Sequence, residues 1–178
     1  MQFDKTWTLF LDRDGVINRR LVDAYVRNWQ EFAFEEGVLE AIKRFSEIFG
    51  RTFVVTNQQG IAKELMTEAD LQVVHQQMIG EIERVGGRID KIYFCPHRAS
   101  DSCICRKPRT GMALQAKADF PEVDFLKAVM VGDSPSDIEM GHRLGMKTGF
   151  IGTHNAPPHT DWQFVNLKAF ADFILSEL

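Results

Sequence analysis

The sequence predicts an α/β fold in which helices cover both faces of a mostly parallel sheet. Short runs rich in β-branched and aromatic residues alternate five times with longer amphipathic runs, which is the pattern of right-handed strand–helix–strand units. The chain has 178 residues, enough for one sizeable core and too few for two ordinary ones. Because there is also no repeat or low-complexity linker, we expect a single domain over residues 1–178.

The predicted elements follow one another in strict alternation along the chain. The strands are expected at residues 8–11, 52–56, 89–94, 128–132 and 147–152. The helices are expected at residues 38–49, 68–85, 111–119, 136–144 and 167–178. The second helix is the clearest, because a capping pattern over Thr67–Asp70 precedes an apolar stripe at three- and four-residue steps. That stripe consists of Leu71, Val74, Met78, Ile82 and Val85.

The composition and charge of the chain indicate which classes of protein it can belong to. Apolar residues make up 44% and charged residues 26%, which is typical of soluble globular domains. No apolar run approaches the roughly 20 residues of a membrane helix, and the first ten residues, which include Asp4, do not resemble a secretory signal. The net charge is −4 without a dense basic patch, which argues against nucleic acid or an anionic membrane as partner. We expect a cytoplasmic monomer.

Polar residues follow three of the predicted strands. In parallel sheets ligands bind beyond the carboxyl ends of the strands, so these residues are the candidates for a site. The set comprises Asp12 and Asp14 with Gly15, then Thr56, Asn57 and Gln58, and finally Asp133 with Asp137 four residues on. Converging carboxylates repel one another unless a cation lies between them, and hard oxygen ligands suit Mg²⁺.

Each of these residues also has an ordinary structural interpretation. Two aspartates two residues apart are common in solvated turns. Asp133 could be the N-cap of the following helix, and Thr56 could simply be a β-former at the end of its strand. The occurrence of all the elements in order favours a functional site.

A cysteine cluster lies after the third strand, at residues 95–105. Cys95, His97, Cys103 and Cys105 offer three thiolates and an imidazole, a donor set that matches tetrahedral structural Zn²⁺. The alternatives are three free thiols with a surface histidine, or a redox pair at Cys103 and Cys105. Four protein ligands leave no open position, so we assign the metal a structural role. Such a loop would direct the next two residues, Arg106 and Lys107, toward the crevice.

Four segments, LFLDRDGVIN, VVTNQQG, CRKP and VGDSPSD, resemble the motifs of the haloacid dehalogenase-like phosphatases, in order and over almost the whole chain. The resemblance implies a Rossmann-like three-layer domain. It also implies that Asp12 is the nucleophile that forms an aspartyl-phosphate and that Asp14 is the general acid and base. Thr56 and Lys107 would hold the phosphoryl oxygens, and Asp12, Asp133 and the Asp14 backbone carbonyl would bind Mg²⁺. Asp137 would contact the residues that bind the metal and the substrate, without being a ligand itself.

The cysteine loop resembles the zinc-bearing branch of that family, which includes phosphatases of heptose 1,7-bisphosphate and of histidinol phosphate. YVRNWQEFAFEEGV, VTNQQGIA and the pair Gly111 and Met112 favour the heptose enzymes, whereas the short spacer between His97 and Cys103 also occurs in the histidinol enzymes. A small phosphorylated sugar is therefore the expected substrate. More distant alternatives are a DNA-end 3′-phosphatase, which the negative charge disfavours, and a catalytically idle interaction protein, which the complete motif set disfavours.

The stretches at residues 15–36 and 95–110, where relatives insert a cap domain, are too short for an independent core. We therefore expect an open crevice whose specificity comes from short loops. The candidate substrate-binding residues are Arg20, Asp23, Asn57, Gln58 and Arg106. Arg106 suits a second phosphate or a sugar hydroxyl through its planar guanidinium, although a solvated cation beside the cysteine loop is the plain alternative.

Overall fold

A six-stranded sheet forms the centre of the computed structural model, which describes residues 2–177. The strands are β1 (Thr8–Leu11), β2 (Arg51–Asn57), β3 (Lys91–Cys95), β4 (Ala128–Gly132), β5 (Lys147–Ile151) and β6 (Trp162–Phe164). The helices are α1 (Val38–Ile48), α2 (Glu68–Arg84), α3 (Gly111–Asp119), α4 (Pro135–Arg143) and α5 (Leu167–Ser176). Two short 3₁₀ helices lie at Trp29–Glu31 and Phe125–Lys127.

The strand order places β1 in the interior of the sheet. The order is β3-β2-β1-β4-β5-β6, and every pair is parallel. The chain builds outward from β1 to β3 and then crosses back to β4, so the order reverses between β1 and β4. A crevice opens at such a reversal, outside the carboxyl ends of the strands. Asp12 follows β1 and Asp133 follows β4, so the fold itself brings these two residues together.

Successive residues of β1 point to opposite faces of the sheet, as strand geometry requires. Leu9 and Leu11 belong to the larger apolar cluster, which includes the buried faces of α1 and α5, whereas Phe10 belongs to the second cluster. That second cluster includes buried residues of α3 and α4, such as Ala113 and Met140. Helices therefore cover both faces, which confirms the three-layer α/β prediction.

All five predicted strands and all five predicted helices are present, and their ends differ from the prediction by at most two residues. The Thr67–Asp70 capping box is confirmed. Val85 was wrongly assigned to the buried stripe, because it lies at the C-cap of α2 and is 37% exposed. The N-cap interpretation of Asp133 is also wrong, since Ser134 occupies that position. The predicted final helix ends at Ser176, and residue 178 lies outside the described part of the chain.

The segment between β1 and α1 is a loop tied down by aromatic packing. Trp29 stacks on Phe32 with ring centroids 4.8 Å apart, and both pack against the larger apolar cluster. Trp29 and Phe32 therefore form a satellite of the core. Over residues 2–177, no helix is both long and apolar enough to cross a membrane.

Candidate active site

Three aspartates converge at the carboxyl ends of β1 and β4. Asp12, Asp133 and Asp137 each offer a carboxylate oxygen, and these atoms all lie within 4.8 Å of one another. Asp12 is fixed by its backbone amide, which donates to the carbonyl of Val131 at 2.9 Å. Gly15 packs against the Asp133 carboxylate with φ +87°, so a side chain at position 15 would be strained and would also collide with that carboxylate.

Lys107 is the buried cation of this cluster. Its Nζ lies 2.7 Å from Asp12 Oδ1 and 2.6 Å from Asp137 Oδ1, and it donates to the carbonyl of Val55 at 2.7 Å. Burial alone would lower the pKa of Lys107, but the charges of Asp12 and Asp137 outweigh burial and raise it. Lys107 therefore stays protonated between two carboxylates.

The electrostatics of the cluster favour a cation. Burial, together with the charges of Asp137 and Asp14, raises the pKa of Asp12 to about 6 despite the opposing effect of Lys107. Burial and the charge of Asp12 raise the pKa of Asp133 to about 7, although Arg20 Nη2 lies 3.2 Å from its Oδ1. Carboxylates that disfavour one another's charge, gathered within the span of one coordination sphere, fit a hard divalent cation such as Mg²⁺.

The Asp14 carboxylate points away from this cluster. It accepts hydrogen bonds from Arg13 Nη2 at 2.9 and 3.1 Å, from Asn18 Nδ2 at 3.0 Å and from Gln58 Nε2 at 2.8 Å. Burial would raise the pKa of Asp14, but the Arg13 charge and these hydrogen bonds outweigh it and lower the pKa. The two aspartates of the first motif thus occupy different environments, which suits them to different chemical tasks.

One cavity of about 610 Å³ collects the predicted catalytic and substrate-binding residues. Its lining includes Asp12, Asp14, Thr56 and Lys107, together with Arg20, Asp23, Asn57, Gln58 and Arg106. Asp133 lines a second cavity, together with Gly15 and Val16. The arrangement offers a carboxylate beside a buried ammonium, with cationic side chains nearer the rim.

The cysteine loop brings its four predicted ligands together. Cys95 Sγ lies 3.0 Å from Cys105 Sγ and 3.7 Å from Cys103 Sγ, while His97 Nδ1 lies 3.5 Å from Cys95 Sγ and 3.2 Å from Cys105 Sγ. Zinc–sulfur bonds of about 2.3 Å give a tetrahedron with sulfur–sulfur edges of roughly 3.8 Å. The separation of Cys95 and Cys103 matches this edge, whereas Cys95 and Cys105 lie closer together. The donor set and its spacing therefore fit a tetrahedral zinc ion.

Comparison with known proteins adds an independent observation. The HAD-hydrolase-like family model matches residues 104–167. A D-glycero-alpha-D-manno-heptose-1,7-bisphosphate 7-phosphatase of Mycobacterium tuberculosis is 42% identical over 93% of this chain and 90% of its own length. The Campylobacter jejuni protein of the same name is 37% identical over 95% and 96%. The chain belongs to the haloacid dehalogenase-like phosphatases. The family resemblance of the four sequence motifs is thus confirmed.

A solved structure supports the same assignment of this phosphatase. The D,D-heptose 1,7-bisphosphate phosphatase of B. bronchiseptica, complexed with magnesium and phosphate, superposes with a TM-score of 0.88. It is 31% identical, and the match covers 97% of this chain and 99% of that one. A magnesium-bound relative agrees with the cation that the aspartate cluster favours.

In this phosphatase two of the predicted substrate-binding side chains are engaged in holding loops together. The amide of Asn57 accepts from the backbone nitrogen of Lys107 at 3.0 Å and donates to its carbonyl at 3.2 Å. Gln58 is 1% exposed and donates to Asp14 and to Thr56 Oγ1. Their amides therefore orient Lys107 and Asp14, whereas Arg20 and Arg106 are in the cavity lining with charged side chains.

Sequence reasoning missed a polar cluster in the phosphatase's cavity, formed by Tyr25, Gln59 and Lys63. The Tyr25 hydroxyl accepts from Lys63 Nζ at 2.8 Å and from Gln59 Nε2 at 3.0 Å, which joins the loop after β1 to the loop after β2. All three side chains line the cavity. The QQG segment after Asn57 was the available signal, but nothing local in sequence pairs it with a tyrosine more than thirty residues upstream.

Proposed function

We propose that the protein is a Mg²⁺-dependent phosphomonoesterase that removes the C7 phosphate of D-glycero-D-manno-heptose 1,7-bisphosphate through an aspartyl-phosphate on Asp12. One observation carries the substrate: relatives named for this activity match more than nine-tenths of the chain at 37–42% identity. The contact of Lys107 with Asp12 supports the mechanism, because it holds a cation where the transferred phosphoryl group must arrive.

In the first step the Asp12 carboxylate attacks phosphorus and the bond from phosphorus to the C7 oxygen breaks. Asp14 donates a proton to that oxygen, which leaves as an alcohol. The hydrogen bonds to Asp14 favour its ionised form, but the approach of an anionic phosphoryl group raises its pKa and allows the acid form. Lys107 and Thr56 hold the phosphoryl oxygens during the transfer.

In the second step water attacks the phosphorus of the aspartyl-phosphate and Asp14 accepts its proton. The bond between phosphorus and Asp12 breaks, which releases phosphate and restores the carboxylate. Asp12, Asp133 and the Asp14 backbone carbonyl would hold Mg²⁺, which supplies the positive charge that lets an anionic nucleophile approach an anionic substrate.

The cations around the cavity support a substrate with two phosphates. Arg20, Lys63 and Arg106 line the same cavity as Lys107, and Lys107 itself is buried at the reacting end. A remote phosphate is best bound by side chains of this kind, since they lie in partly exposed positions and need no burial of their own charge. Relatives carry names with either anomer of the heptose. Those named for the alpha form are 37–42% identical and those named for the beta form 31–35% identical, which favours the alpha anomer here.

Activity measurements on a substrate panel test this proposal. We expect the specificity constant to be highest for a heptose 1,7-bisphosphate and at least about tenfold lower for histidinol phosphate. The Asp12→Asn variant should lose at least about 10³-fold in kcat because it lacks the nucleophile, while Glu83→Gln, an exposed carboxylate change on α2, should behave as wild type. Full turnover by Asp12→Asn would contradict the mechanism, and a preference for histidinol phosphate would contradict the substrate alone.

We also propose that Cys95, His97, Cys103 and Cys105 bind one structural Zn²⁺. Burial raises the pKa of the Cys95 thiol, so a bound cation is what would favour its thiolate form. The loop runs directly into Arg106 and Lys107, and Arg106 Nη1 lies 3.4 Å from the His97 carbonyl. Zinc would thus hold the segment that delivers Lys107 to Asp12.

A further inference from the structure

Arg13, between the two aspartates of the first motif, is a fully buried cation. One end of its guanidinium, Nη2, donates to both carboxylate oxygens of Asp14. The other end, Nη1, lies 3.1 Å from Nε2 of His75, a residue 62 positions away in sequence. The guanidinium therefore bridges a proposed catalytic carboxylate and a histidine of α2.

His75 lies on the buried face of α2 with Leu71, Val74 and Met78, and it is 7% exposed. Its ring meets that of Phe94 edge to face at 6.3 Å. Arginine can only donate hydrogen bonds, so Nε2 of His75 must accept and the ring proton must lie on Nδ1. Burial and the Arg13 charge lower the pKa of His75 to about 3, in keeping with a neutral acceptor. His75 does not line the cavity, so it does not reach a ligand there.

We propose that His75 is a positioning residue for the proton transfer: by accepting from Arg13 it fixes the guanidinium that orients the Asp14 carboxylate toward the leaving oxygen. The role of Asp14 rests on the function proposed above. Without an acceptor at position 75, Nη1 of Arg13 would be a buried donor with no partner, which is costly and is relieved by rotation of the guanidinium. Asn18 and Gln58 keep Asp14 in place, but the contact of Nη2 with both carboxylate oxygens, which sets the angle of the carboxylate, is lost.

Misorientation of Asp14 is expected to slow some substrates more than others, depending on the leaving group. The proton from Asp14 is needed when the bond from phosphorus to an alkoxide oxygen breaks, because an alkoxide is a poor leaving group. It matters little for p-nitrophenyl phosphate, whose phenolate leaves readily without a proton. A general loss of structure would instead slow both substrates by the same factor. The specificity constant covers the step in which the leaving group departs, so it is the quantity to compare.

The variants His75→Leu, His75→Asn and His75→Gln separate these cases. Glutamine places an amide oxygen near the position of Nε2 and keeps the acceptor, whereas asparagine reaches only the position of Nδ1 and leucine has no acceptor. Ile82→Val, on the buried face of the same helix two turns on, is the matched control for disturbed packing. Tm is measured for each variant.

We expect His75→Leu and His75→Asn to lower kcat/KM for heptose 1,7-bisphosphate by about 10- to 100-fold, and that for p-nitrophenyl phosphate by less than about threefold. His75→Gln should recover most of the loss, and Ile82→Val should leave the ratio of the two substrates unchanged. Equal losses on both substrates, or no loss with His75→Asn, would overturn the positioning role. Retained turnover by Asp12→Asn, measured in parallel, would instead overturn the proposed mechanism.

Discussion

Asp133 is a partly buried carboxylate that lies among like charges. It lies beside Asp12 and Asp137, and the half-exposed Arg20 and the buried Lys107 offset their charges only in part. Burial and repulsion raise its pKa to about 7, whereas a free aspartate titrates near pH 4. In its ionised form such a carboxylate lowers the free energy of unfolding, and a bound cation would raise it again.

Asp133→Asn should therefore stabilise the metal-free protein and remove its response to Mg²⁺. The neutral amide relieves repulsion with Asp12, and we expect Tm in Mg²⁺-free buffer at pH 7.5 to rise by about 2–4 °C, which corresponds to about 1 kcal/mol at this chain length. Addition of Mg²⁺ should raise the Tm of the wild type and not that of the variant. Glu47→Gln, at an exposed position of α1, serves as the control. A variant that keeps the Mg²⁺-dependent rise would show that Asp133 does not bind the cation.

The sequence predicts the position of a residue where a motif names it, but not the orientation of a side chain that a distant partner holds. Asp12, Asp14 and Thr56 belong to motifs at strand ends and Lys107 to a motif in the loop before α3, and all four line one cavity. The direction of the Asp14 carboxylate was missed, because it depends on Gln58 and on the Arg13–His75 contact across 62 residues. Local patterns contain no information about pairs so far apart.

We expect the order of the segment between β3 and α3 to depend on the zinc ion proposed above. Residues 95–110 contain no helix or strand beyond Cys95, yet they deliver the buried Lys107. The four zinc-type donors lie at both ends of this loop, and Cys105 is two residues before Lys107. The stability of the loop and the position of Lys107 should therefore change together.

Cys105→Ser tests that coupling. We expect the zinc content, measured by elemental analysis, to fall from about one ion per chain to a small fraction of that. Tm should fall by about 5–10 °C, equivalent to about 2–3 kcal/mol, and kcat should fall with it. Ser102→Ala, an exposed change in the same loop, should alter none of the three. Unchanged zinc content in Cys105→Ser would contradict the proposed ligand set.

Helices and strands are predicted from the periodicity of apolar residues along the chain, and elements too short to show that periodicity are not predicted. α2 has three buried turns and a capping box, so both its existence and its start were predicted. β6 is only three residues long and no residue in it is fully buried, so its alternation is too short to predict a strand. It is recognisable only from its pairing with β5, which is a tertiary contact.

At the scale of the whole molecule, the acidic cluster should give metal-free stability an unusual dependence on pH. The folded-state pKa values of Asp133 and Asp12 are about 7 and about 6, both above their values near 4 in an unfolded chain. The folded protein thus binds more protons than the unfolded chain between these limits, and the free energy of unfolding falls as pH rises. His75, with a pKa lowered to about 3, acts in the opposite sense, but only below about pH 6.5.

We therefore expect Tm in Mg²⁺-free buffer to fall as pH rises from 6 to 8, and the rise in Tm on adding Mg²⁺ to grow over the same range. Thermal unfolding at three pH values, with and without Mg²⁺, measures both trends, and Asp133→Asn should flatten them. A Mg²⁺ effect that is constant with pH would contradict the linkage between the cluster and the cation.

The way the buried cations are shared has a further consequence for charge balance. Arg13 and Lys107 are buried among four carboxylates, those of Asp12, Asp14, Asp133 and Asp137. With all groups ionised, the interior of the site carries an excess of two negative charges, which is the charge that one divalent ion neutralises. A loaded site is thus electrically balanced inside and positive only at its mouth, where Arg20, Lys63 and Arg106 lie. An anionic substrate is therefore attracted to the entrance, and phosphate, once released, meets no surplus positive charge in the interior to retain it.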